Sequence, residues 1–545
     1  MTRTRRQDLE IIARDVGSLL LIQALVMTIS LGVALVFREW YAALAFLVSG
    51  GITAGVGGFT RLRFLDAPDP LMKHGMVIAA AGWFFTAVFG ALPFLLTAHF
   101  TPSSVAAATA NAAGFESSSL LYFRHPLHAL FESMSGWTGS GLTMAVHEPT
   151  LPRAIQWWRS VIQWVGGVGV IVLTVAILSR PGSGSYTLYK SETRERRIHP
   201  SIVSTVRTVW KIFVAYTIVS VGVLFVAIRL SDYGSSLTLF EASWQALNHA
   251  MTGLATGGFS VTDNSIGTYN SPLIEGVLLP VMALGAIAFP IHFAVLSERA
   301  PSELFDDLQT RWLFALLGIG VVALSAQNLL FIGQTGPLGR TAAVPDLLAP
   351  FITTAQADAV RDGTFQFVSA LTCTGFQSSP IGNWTPGGKL LVSGAMVVGG
   401  AAGSTVGGIK VIRAYLIAKG IKWQFARVFL PDSAVRTAKV GDRTLTRTQM
   451  DREFSEAAIV GVLWLSLLAA SSFVLVNVVG PDFSYADALF EVASAQGNVG
   501  LSAGITGPSM PPLAEAMFIL NMWVGRLEII PVLVFGRALV YGLRP

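Results

Sequence analysis

The chain has 545 residues, of which 52% are hydrophobic and only 13% are charged. A soluble domain carries about 25% charged residues, so this composition excludes an ordinary soluble protein and indicates a polytopic membrane protein. The formal net charge of +5 is mild, and the single cysteine, Cys373, excludes an intrachain disulfide.

Ten apolar runs follow one another along the chain, each long enough for a spanning helix of about 20 residues. They lie at about 16–37, 40–59, 74–98, 154–179, 206–230, 272–296, 312–333, 388–417, 456–480 and 512–540. The first run follows Arg3, Arg5 and Arg6 without a convincing small-residue cleavage site. We therefore expect it to remain as a membrane helix.

Four shorter segments between these runs resemble one another: 130–143, 247–260, 364–377 and 489–502. Aligned, they place one glycine in a common column, and that column holds Gly141, Gly258, Gly375 and Gly500. A small hydroxyl residue lies six positions upstream of each glycine, as Ser135, Thr252, Ser369 or Ser494. The glycines are 117, 117 and 125 residues apart, whereas solenoid repeats run roughly 20–50 residues. The pattern indicates a whole helix–loop–helix unit used four times.

These four segments are too short and too polar to span a membrane, so we interpret them as re-entrant hairpins. Irregular backbone at membrane depth is tolerated only where it is buried in protein or lines a water-filled cavity, which predicts a polar pathway. The predicted fold is an all-α polytopic membrane protein with two leading helices and four helix–pore loop–helix repeats in pseudo-fourfold arrangement around a pore. The predicted divisions are 1–73 for the leading helices, then 74–198, 199–305, 306–453 and 454–545 for the repeats.

The distribution of Lys and Arg predicts the orientation. Basic residues concentrate in the loops that are inside if the N-terminus is inside: Arg61, Arg63, Lys73, Arg180, Lys190, Arg194, Arg196, Arg197, Arg207, Arg299, Arg311, Arg413, Lys419, Lys422, Arg427, Arg436, Lys439, Arg443, Arg447 and Arg452. The outer segments hold only Arg124, Arg153, Arg340 and Arg361. All four hairpins then enter from outside, and both termini are cytoplasmic. Lipid anchoring explains most of the inner charges, and we expect segment 418–454 to carry an amphipathic helix on the inner surface.

Glycine is needed where the backbone takes positive φ or approaches a ligand closely. Four loops with one glycine each at the same depth can form a ring of carbonyl oxygens that replaces the hydration shell of a cation, as in potassium filters. The side chains around the glycines carry no charge, so selectivity would rest on the backbone. Glu132 and Glu491 are expected near the outer starts of two pore helices, where helix capping and cation attraction both remain open.

Two further features interrupt the apolar runs. Residues 399–410 are rich in glycine and small residues, and each glycine costs a helix interior about 1 kcal/mol relative to alanine; we expect a broken helix with a flexible loop here. Lys410 follows it, either as an interface lysine or as a charge that holds the loop. Arg526 lies inside the last run, where a charge is costly and normally functional or paired. Two interpretations of Arg526 remain open: a barrier to cations below the fourth loop, or a buried pair with Glu528 or another carboxylate.

The four loops and residues 399–410 together resemble the Trk/Ktr/HKT superfamily of potassium transporters, and the two leading helices resemble its TrkH type more than its Ktr type. The resemblance covers essentially the whole chain. It implies potassium uptake through a backbone filter formed by Thr138, Gly139, Ser140, Gly141, Ala255, Thr256, Gly257, Gly258, Thr372, Cys373, Thr374, Gly375, Gly497, Asn498, Val499 and Gly500. It also implies an intramembrane gating loop, which here contains Gly399, Gly400, Gly403, Ser404, Gly407, Gly408 and Lys410. We add Arg526 to the gating residues on the hypothesis that it forms a barrier to cations that this loop modulates.

The same resemblance implies a homodimer in the inner (cytoplasmic) membrane and separate cytosolic nucleotide-binding, TrkA-like regulatory subunits. We expect no nucleic acid partner and no organic cofactor, with the potassium ion as cargo. A sodium-coupled or sodium-permeable cation transporter of the same fold is the alternative. We do not expect an enzyme, because the eight histidines are scattered, mostly near predicted interfaces, with no cluster for metal or acid–base chemistry.

Overall fold

The structure, a computed structural model, describes residues 3–178, 202–332, 353–429, 437–441 and 443–543. Several of the basic residues used to predict orientation therefore lie outside the described residues: Arg180, Lys190, Arg194, Arg196, Arg197, Arg340 and Arg436. Within the described part the chain is almost entirely helical, as predicted.

The two leading helices are α1 (Arg3–Val36) and α2 (Trp40–Arg63), which pack against each other along their length. Small residues allow the close approach: a Cβ added to Gly57 would lie 2.8 Å from the carbonyl oxygen of Gly17. The turn between the helices positions the first repeat, because the Glu39 carboxylate accepts hydrogen bonds from the main-chain N–H groups of Arg153 and Ala154 at 2.6 and 2.8 Å. These N–H groups lie at the N-terminus of the helix that begins at Arg153, where the helix dipole favours a negative charge.

Each of the four repeats contains a short helix that leads into a glycine loop, followed by a helix that returns from it. We call these the loop helices and the return helices. The loop helices are α6 (Pro126–Thr138), α10 (Leu239–Leu254), α15 (Thr354–Leu371) and α19 (Tyr485–Gly497). The return helices are α7 (Arg153–Leu178), α11 (Pro272–Ala286), α16 (Pro386–Val398) and α20 (Pro512–Arg526).

The remaining helices precede the loop helices or continue the return helices. They are α3 (Met72–Gly90), α4 (Leu92–Phe100), α5 (Ser103–Ala112), α8 (Ile202–Leu230), α9 (Asp232–Ser235), α12 (Phe289–Ser297), α13 (Glu303–Asp306), α14 (Leu308–Leu330), α17 (Val411–Arg427), α18 (Arg447–Val478) and α21 (Ile530–Tyr541). Short 3-10 turns occupy Ser119–Arg124, Glu148–Thr150, Ser265–Tyr269 and Ile381–Asn383. Six of the described helices are long and apolar enough to cross a membrane, or up to eight if each bent pair counts as one span.

Three return helices end inside an apolar run of the sequence. The run 388–417 is interrupted at 399–410, as predicted from its glycines. The runs 272–296 and 512–540 were expected to be continuous, and this was wrong: α11 and α12 meet at 106°, and α20 and α21 meet at 113°. Pro290 and Pro531 are the second residues of α12 and α21, and proline suits the start of a helix because it has no N–H to donate.

The segment 418–454 differs in part from the predicted amphipathic helix. Helix α17 covers its start and ends at Arg427. Strands β1 (Ala438–Val440) and β2 (Arg443–Leu445) then form an antiparallel hairpin in which Lys439 pairs with Thr444. Buried residues of the hairpin pack with Trp423 and Met450 into a small core of their own. The hairpin was missed because three-residue strands carry no periodic signal.

Four polar junctions tie each return helix to the loop helix of the following repeat. Three are ion pairs: Arg153–Glu241 at 2.5 Å, Glu275–Arg361 at 2.8 Å and Lys389–Asp487 at 2.5 Å. The fourth joins Glu515 of the last return helix to His128 of the first loop helix at 2.8 Å. The junctions therefore run from repeat 1 to 2, 2 to 3, 3 to 4 and 4 back to 1, so the four repeats close into a ring.

Candidate functional site: the glycine ring and the loop beneath it

A cavity of about 670 Å³ lies at the centre of the ring of repeats, on the side where the loop helices begin. Its lining includes all four aligned glycines: Gly141, Gly258, Gly375 and Gly500. The rest of its wall comes from the segments that follow each glycine and from Arg159 of α7. We call this cavity the vestibule.

The four glycines lie against one another in a closed ring. A Cβ built on each glycine would collide with the carbonyl oxygen of the residue that precedes the next glycine. The separations are 2.2 Å from Gly141 to Gly257 O, 2.2 Å from Gly258 to Thr374 O, 1.7 Å from Gly375 to Val499 O and 2.4 Å from Gly500 to Ser140 O. Any side chain at these positions would have to push main-chain atoms of the neighbouring loop, which is a physical reason for glycine in the column.

The loops share one backbone conformation. All four glycines have positive φ, between 75° and 102°. Two residues earlier the φ is again positive, at Gly139 (68°), Thr256 (52°), Cys373 (49°) and Asn498 (54°). Three of these four are not glycine, so their conformation is costly and has to be held by the surroundings.

Hydrogen bonds to and from the column residues, the serine or threonine six positions before each glycine, hold this conformation. The N–H of the residue before each glycine donates to the carbonyl of the column residue, from Ser140, Gly257, Thr374 and Val499 to Ser135, Thr252, Ser369 and Ser494 at 2.8–2.9 Å. The hydroxyls of Thr252 and Ser369 also donate to the carbonyls of Phe259 and Phe376, both at 2.8 Å. The aligned serines and threonines therefore connect each loop helix to its own loop.

A second column, nine residues before each glycine, was missed from the sequence. It holds Glu132, His249, Gln366 and Glu491. Each of these buried side chains hydrogen-bonds a hydroxyl just beyond its glycine: Thr143, Ser260, Ser378 and Ser502, at 2.6–3.0 Å. The expected place of Glu132 and Glu491 at the helix starts was wrong, because each is the seventh residue of a 13-residue helix. The column is the third position of the aligned segments 130–143, 247–260, 364–377 and 489–502, so comparing that position would have shown it.

The other predicted filter residues lie in the same layer, and all are buried. Pairs of hydroxyls meet within loops, as Thr138 with Ser140 at 3.0 Å and Thr372 with Thr374 at 2.8 Å. The Asn498 amide donates to the Ser140 hydroxyl at 2.7 Å and joins the fourth loop to the first. Ala255 directly follows the end of α10 in the second loop, and Gly497 is the last residue of α19 before the fourth loop. The structure thus brings the sixteen predicted residues together around the ring.

Arg159 of α7 connects the first two loops. Its side chain is 1% exposed, its Nε donates to Glu132 at 2.7 Å, and its Nη1 donates to the carbonyl of Ser260 at 2.7 Å. The guanidinium also lies 4.3 Å from the ring centroid of Phe259, within cation–π range. A buried arginine in the wall of the vestibule was not predicted, since it lies within an apolar run.

The loop 399–410 packs against the opposite face of the glycine ring from the vestibule. A Cβ on Gly407 would lie 2.4 Å from the carbonyl oxygen of Gly497, which shows how closely this loop approaches the fourth glycine loop. The Thr405 hydroxyl lies 2.9 Å from that of Thr256, and its N–H donates to the carbonyl of Gly285 at 3.2 Å. The loop is therefore seated between two glycine loops and the bend of the second return helix.

The other predicted loop residues shape this segment. Gly399, Gly403 and Gly408 have positive φ, and a Cβ on Gly400 would lie 2.6 Å from the Val406 side chain. Ser404 turns back to donate to the carbonyl of Ala401 at 2.5 Å. These contacts explain why small residues fill the segment.

Arg526 lies at the last position of α20 and donates only to main-chain oxygens in the described part of the chain. Its Nη1 contacts Thr405 O at 2.6 Å, and its Nη2 contacts Gly166 O at 2.9 Å and Gly167 O at 3.3 Å. The alternative pair with Glu528 is not formed, because Glu528 instead pairs with Arg413 at 2.7 Å.

Lys410 contacts the loop that precedes it. Its Nζ donates to the carbonyls of Val406 and Gly407. It also lies 3.9 Å from a Glu528 oxygen. The lysine is buried and not at an exposed interface.

Comparison with known proteins agrees with this geometry. Residues 74–540 match TrkH, a family described as cation transport proteins. The chain belongs to the TrkH family. It is 30% identical over 542 residues to an uncharacterized cation transporter from Methanocaldococcus jannaschii, covering 99% of this chain and 98% of the relative. It is 29% identical to the Trk system potassium uptake protein TrkH of Escherichia coli, covering 96% and 97%.

The fold matches that of a solved TrkH protein. The crystal structure of the potassium transporter TrkH from Vibrio parahaemolyticus superposes with a TM-score of 0.75 at 25% identity, covering 96% of this chain and 98% of that one. The resemblance to the TrkH type is thereby confirmed. The chain is a multi-pass membrane protein of a cation transport family, which is not a family of enzymes.

One expectation about the histidines was wrong. The sequence suggested that they were scattered, but the TrkH fold brings His125 and His128 of the first repeat to Glu515 of the fourth. One potential ligand atom from each lies within 4.8 Å of the others. Glu515 is 387 residues from His128, so the cluster has no signature in the sequence.

Proposed function

We propose that this TrkH-family protein takes up potassium through the glycine ring, with the carbonyl oxygens of the four loops replacing the hydration shell of the ion. The observation that supports this best is the closed ring of main-chain contacts at the base of the vestibule. Relatives named as potassium uptake proteins support potassium as the cargo. The described side chains of the ring carry no charge, so the main chain and hydroxyls supply the ligands.

The loop 399–410 acts as the gate in this proposal. It occupies the face of the ring opposite the vestibule, where it would block an ion leaving the filter. Arg526 both anchors the loop through Thr405 and places a positive charge beside the pathway, since its Nη1 lies 3.8 Å from the position of a Cβ on Gly139. Opening then requires the loop to leave Arg526 and the Thr256 hydroxyl.

Regulation from the cytoplasm belongs to the same proposal. In this proposal α17 and the hairpin β1–β2 lie on the cytoplasmic face of the inner membrane and both termini are inside, an orientation that the distribution of Lys and Arg supports. Helix α17 begins directly after the gate and carries exposed apolar residues, including Ile421 (59%) and Phe425 (69%), and the exposed Phe429 (74%) lies two residues beyond its end. A surface of this kind fits a second copy of the chain or a cytosolic nucleotide-binding subunit, either of which could pull on the gate.

The test is cation uptake into liposomes containing the purified protein. We expect the wild-type chain to take up potassium or rubidium in preference to sodium. Gly258→Ser adds a side chain where a Cβ would already meet Thr374 O at 2.2 Å, so it should lose uptake or shift the preference toward sodium. Gly222→Ser is the matched control, because nothing lies within 4 Å of a Cβ there.

Two outcomes would count against the proposal. Uptake without cation preference, unchanged in Gly258→Ser, would move selectivity away from the ring. Preference for sodium in the wild type would favour a sodium-permeable transporter of the same fold. Protein that shows no uptake alone should gain it when the cytosolic regulatory subunits are added, and failure there would also contradict the proposed regulation from the cytoplasm.

A further inference from the structure

The junction between the fourth and first repeats differs chemically from the other three. Those three pair a permanent cation, Arg153, Arg361 or Lys389, with a carboxylate. At the fourth junction the cationic position is taken by His128, and a second histidine lies beside it. The ring centroids of His125 and His128 are 4.5 Å apart. An ion pair with Glu515 needs only one cation, so pairing alone does not account for the imidazole of His125.

Glu515 has capacity for another ligand. Its side chain is fully buried, and its Oε1 lies 2.8 Å from Nδ1 of His128. Its Oε2 has no hydrogen-bond partner among the described residues. A buried carboxylate oxygen without a partner is costly, so the site is set up for a group that can bind it. His128 is 12% exposed and His125 is exposed, so an ion can enter from the solvent at the vestibule side.

We propose that His125, His128 and Glu515 form a binding site for a zinc-class divalent cation that clamps the first loop helix to the last return helix. Two imidazoles and one carboxylate are typical ligands of zinc, with the fourth position left to water. Mg²⁺ and Ca²⁺ prefer sites made wholly of oxygen. The proposal does not depend on the ion that the transporter carries.

The geometry needs only small side-chain adjustment. The three ligand atoms lie within 4.8 Å of one another, whereas bonds of 2.0–2.1 Å in a tetrahedral site place ligand atoms about 3.3 Å apart. Both histidines belong to the start of α6, where His125 is the N-cap residue. The metal would take the place of the proton shared by His128 and Glu515, so the existing contact becomes part of the site.

The experiment measures zinc binding to the full-length chain, purified with an affinity tag that contains no histidine and stripped with a chelator. We expect one Zn²⁺ per chain by calorimetry, undiminished by excess Mg²⁺, and tetrahedral absorption bands when Co²⁺ replaces zinc. His125→Ala and Glu515→Gln should each weaken binding by about tenfold or more, since loss even of an outer-sphere partner costs 10–100-fold. Zinc should raise the melting temperature of the wild type more than that of either variant.

The exposed residue His125 makes the test independent of folding, because its removal leaves the His128–Glu515 junction intact. His99→Ala is the matched control, since His99 is also exposed and lies outside the cluster. Equal zinc affinity in the wild type and His125→Ala would overturn the proposal. Failure of the wild type to bind zinc at micromolar concentrations would overturn it as well.

Discussion

The Nη1 atom of Arg526 donates a 2.6 Å hydrogen bond to the carbonyl oxygen of Thr405, 121 residues earlier in the chain. This contact links the end of the last return helix to the middle of the proposed gate. The Arg526 guanidinium donates to main-chain oxygens and has no carboxylate partner in the described ranges. It therefore has two effects. It holds the loop in place and leaves a positive charge near the ion pathway.

We predict that Arg526→Ala increases cation flux. Each hydrogen bond from a charged donor contributes about 1.5–3 kcal/mol, so losing the Thr405 contact should raise the open fraction by about tenfold or more. Cation uptake into liposomes that contain only the Arg526→Ala protein measures this flux. Arg229→Ala is the control, because Arg229 also donates to two main-chain carbonyls, at 2.7 and 2.8 Å, but at the end of α8. Unchanged flux in a folded Arg526→Ala protein would contradict the assignment.

Arg526→Lys separates the two effects of the arginine. Lysine keeps the charge but cannot reproduce the planar fork that reaches three carbonyls. If the charge alone blocks cations, the lysine variant should conduct as slowly as the wild type. If anchoring of the loop dominates, its flux should lie near that of the alanine variant.

Arg159→Met should destabilise the protein strongly. The substitution leaves the fully buried Glu132 without its cation, and breaking a buried pair typically costs about 3–5 kcal/mol. Thermal unfolding in detergent should show a large fall in melting temperature. Arg153→Met removes a side chain that is 28% exposed and pairs with Glu241, itself 33% exposed, so it should cost about 1 kcal/mol or less.

A double variant tests the pairing directly. Arg159→Met combined with Glu132→Gln removes both charges, so it should recover part of the stability lost in the single arginine variant. Additive losses would show that Arg159 acts mainly through Ser260 and Phe259.

We predict that the stability of the protein depends on pH through Glu148, whose side chain lines the vestibule. It lies in the short 3-10 turn before α7, and burial raises its pKa to about 8. Arg159 opposes this, but its contact with Glu148 is 3.9 Å and its closer partner is Glu132 at 2.7 Å, so burial dominates. The folded protein therefore holds a proton that the unfolded chain releases near pH 4.5.

Because the folded state binds the extra proton, the contribution of Glu148 to stability should decrease as pH rises from about 4.5 through 8. Glu148→Gln keeps the neutral form at every pH, so we expect its melting temperature to fall less than that of the wild type between pH 6 and pH 9. Parallel melting curves across that range would show that Glu148 is already ionised in the folded protein.

Much of the fold could be predicted from the sequence because its signals are local. Apolar runs indicate which helices reach lipid. A backbone that needs positive φ is indicated by the aligned glycines, Gly141, Gly258, Gly375 and Gly500. The broken helix at 399–410 followed from helix propensity alone. The bends after α11 and α20 were missed, since Pro290 and Pro531 suit a helix start as well as they disrupt an interior.

Only the tertiary structure revealed which groups meet across repeats. The sequence by itself determined the four loops, their small residues and their place between apolar helices. It could not show that Asn498 contacts Ser140, that Arg526 reaches Gly166, or that Glu515 joins His125 and His128. Asn498 and Ser140 are 358 residues apart, and Arg526 and Gly166 are 360 apart. Such pairings depend on how the four repeats close into a ring, and that closure is set by packing and ion pairs between repeats, which no local pattern records.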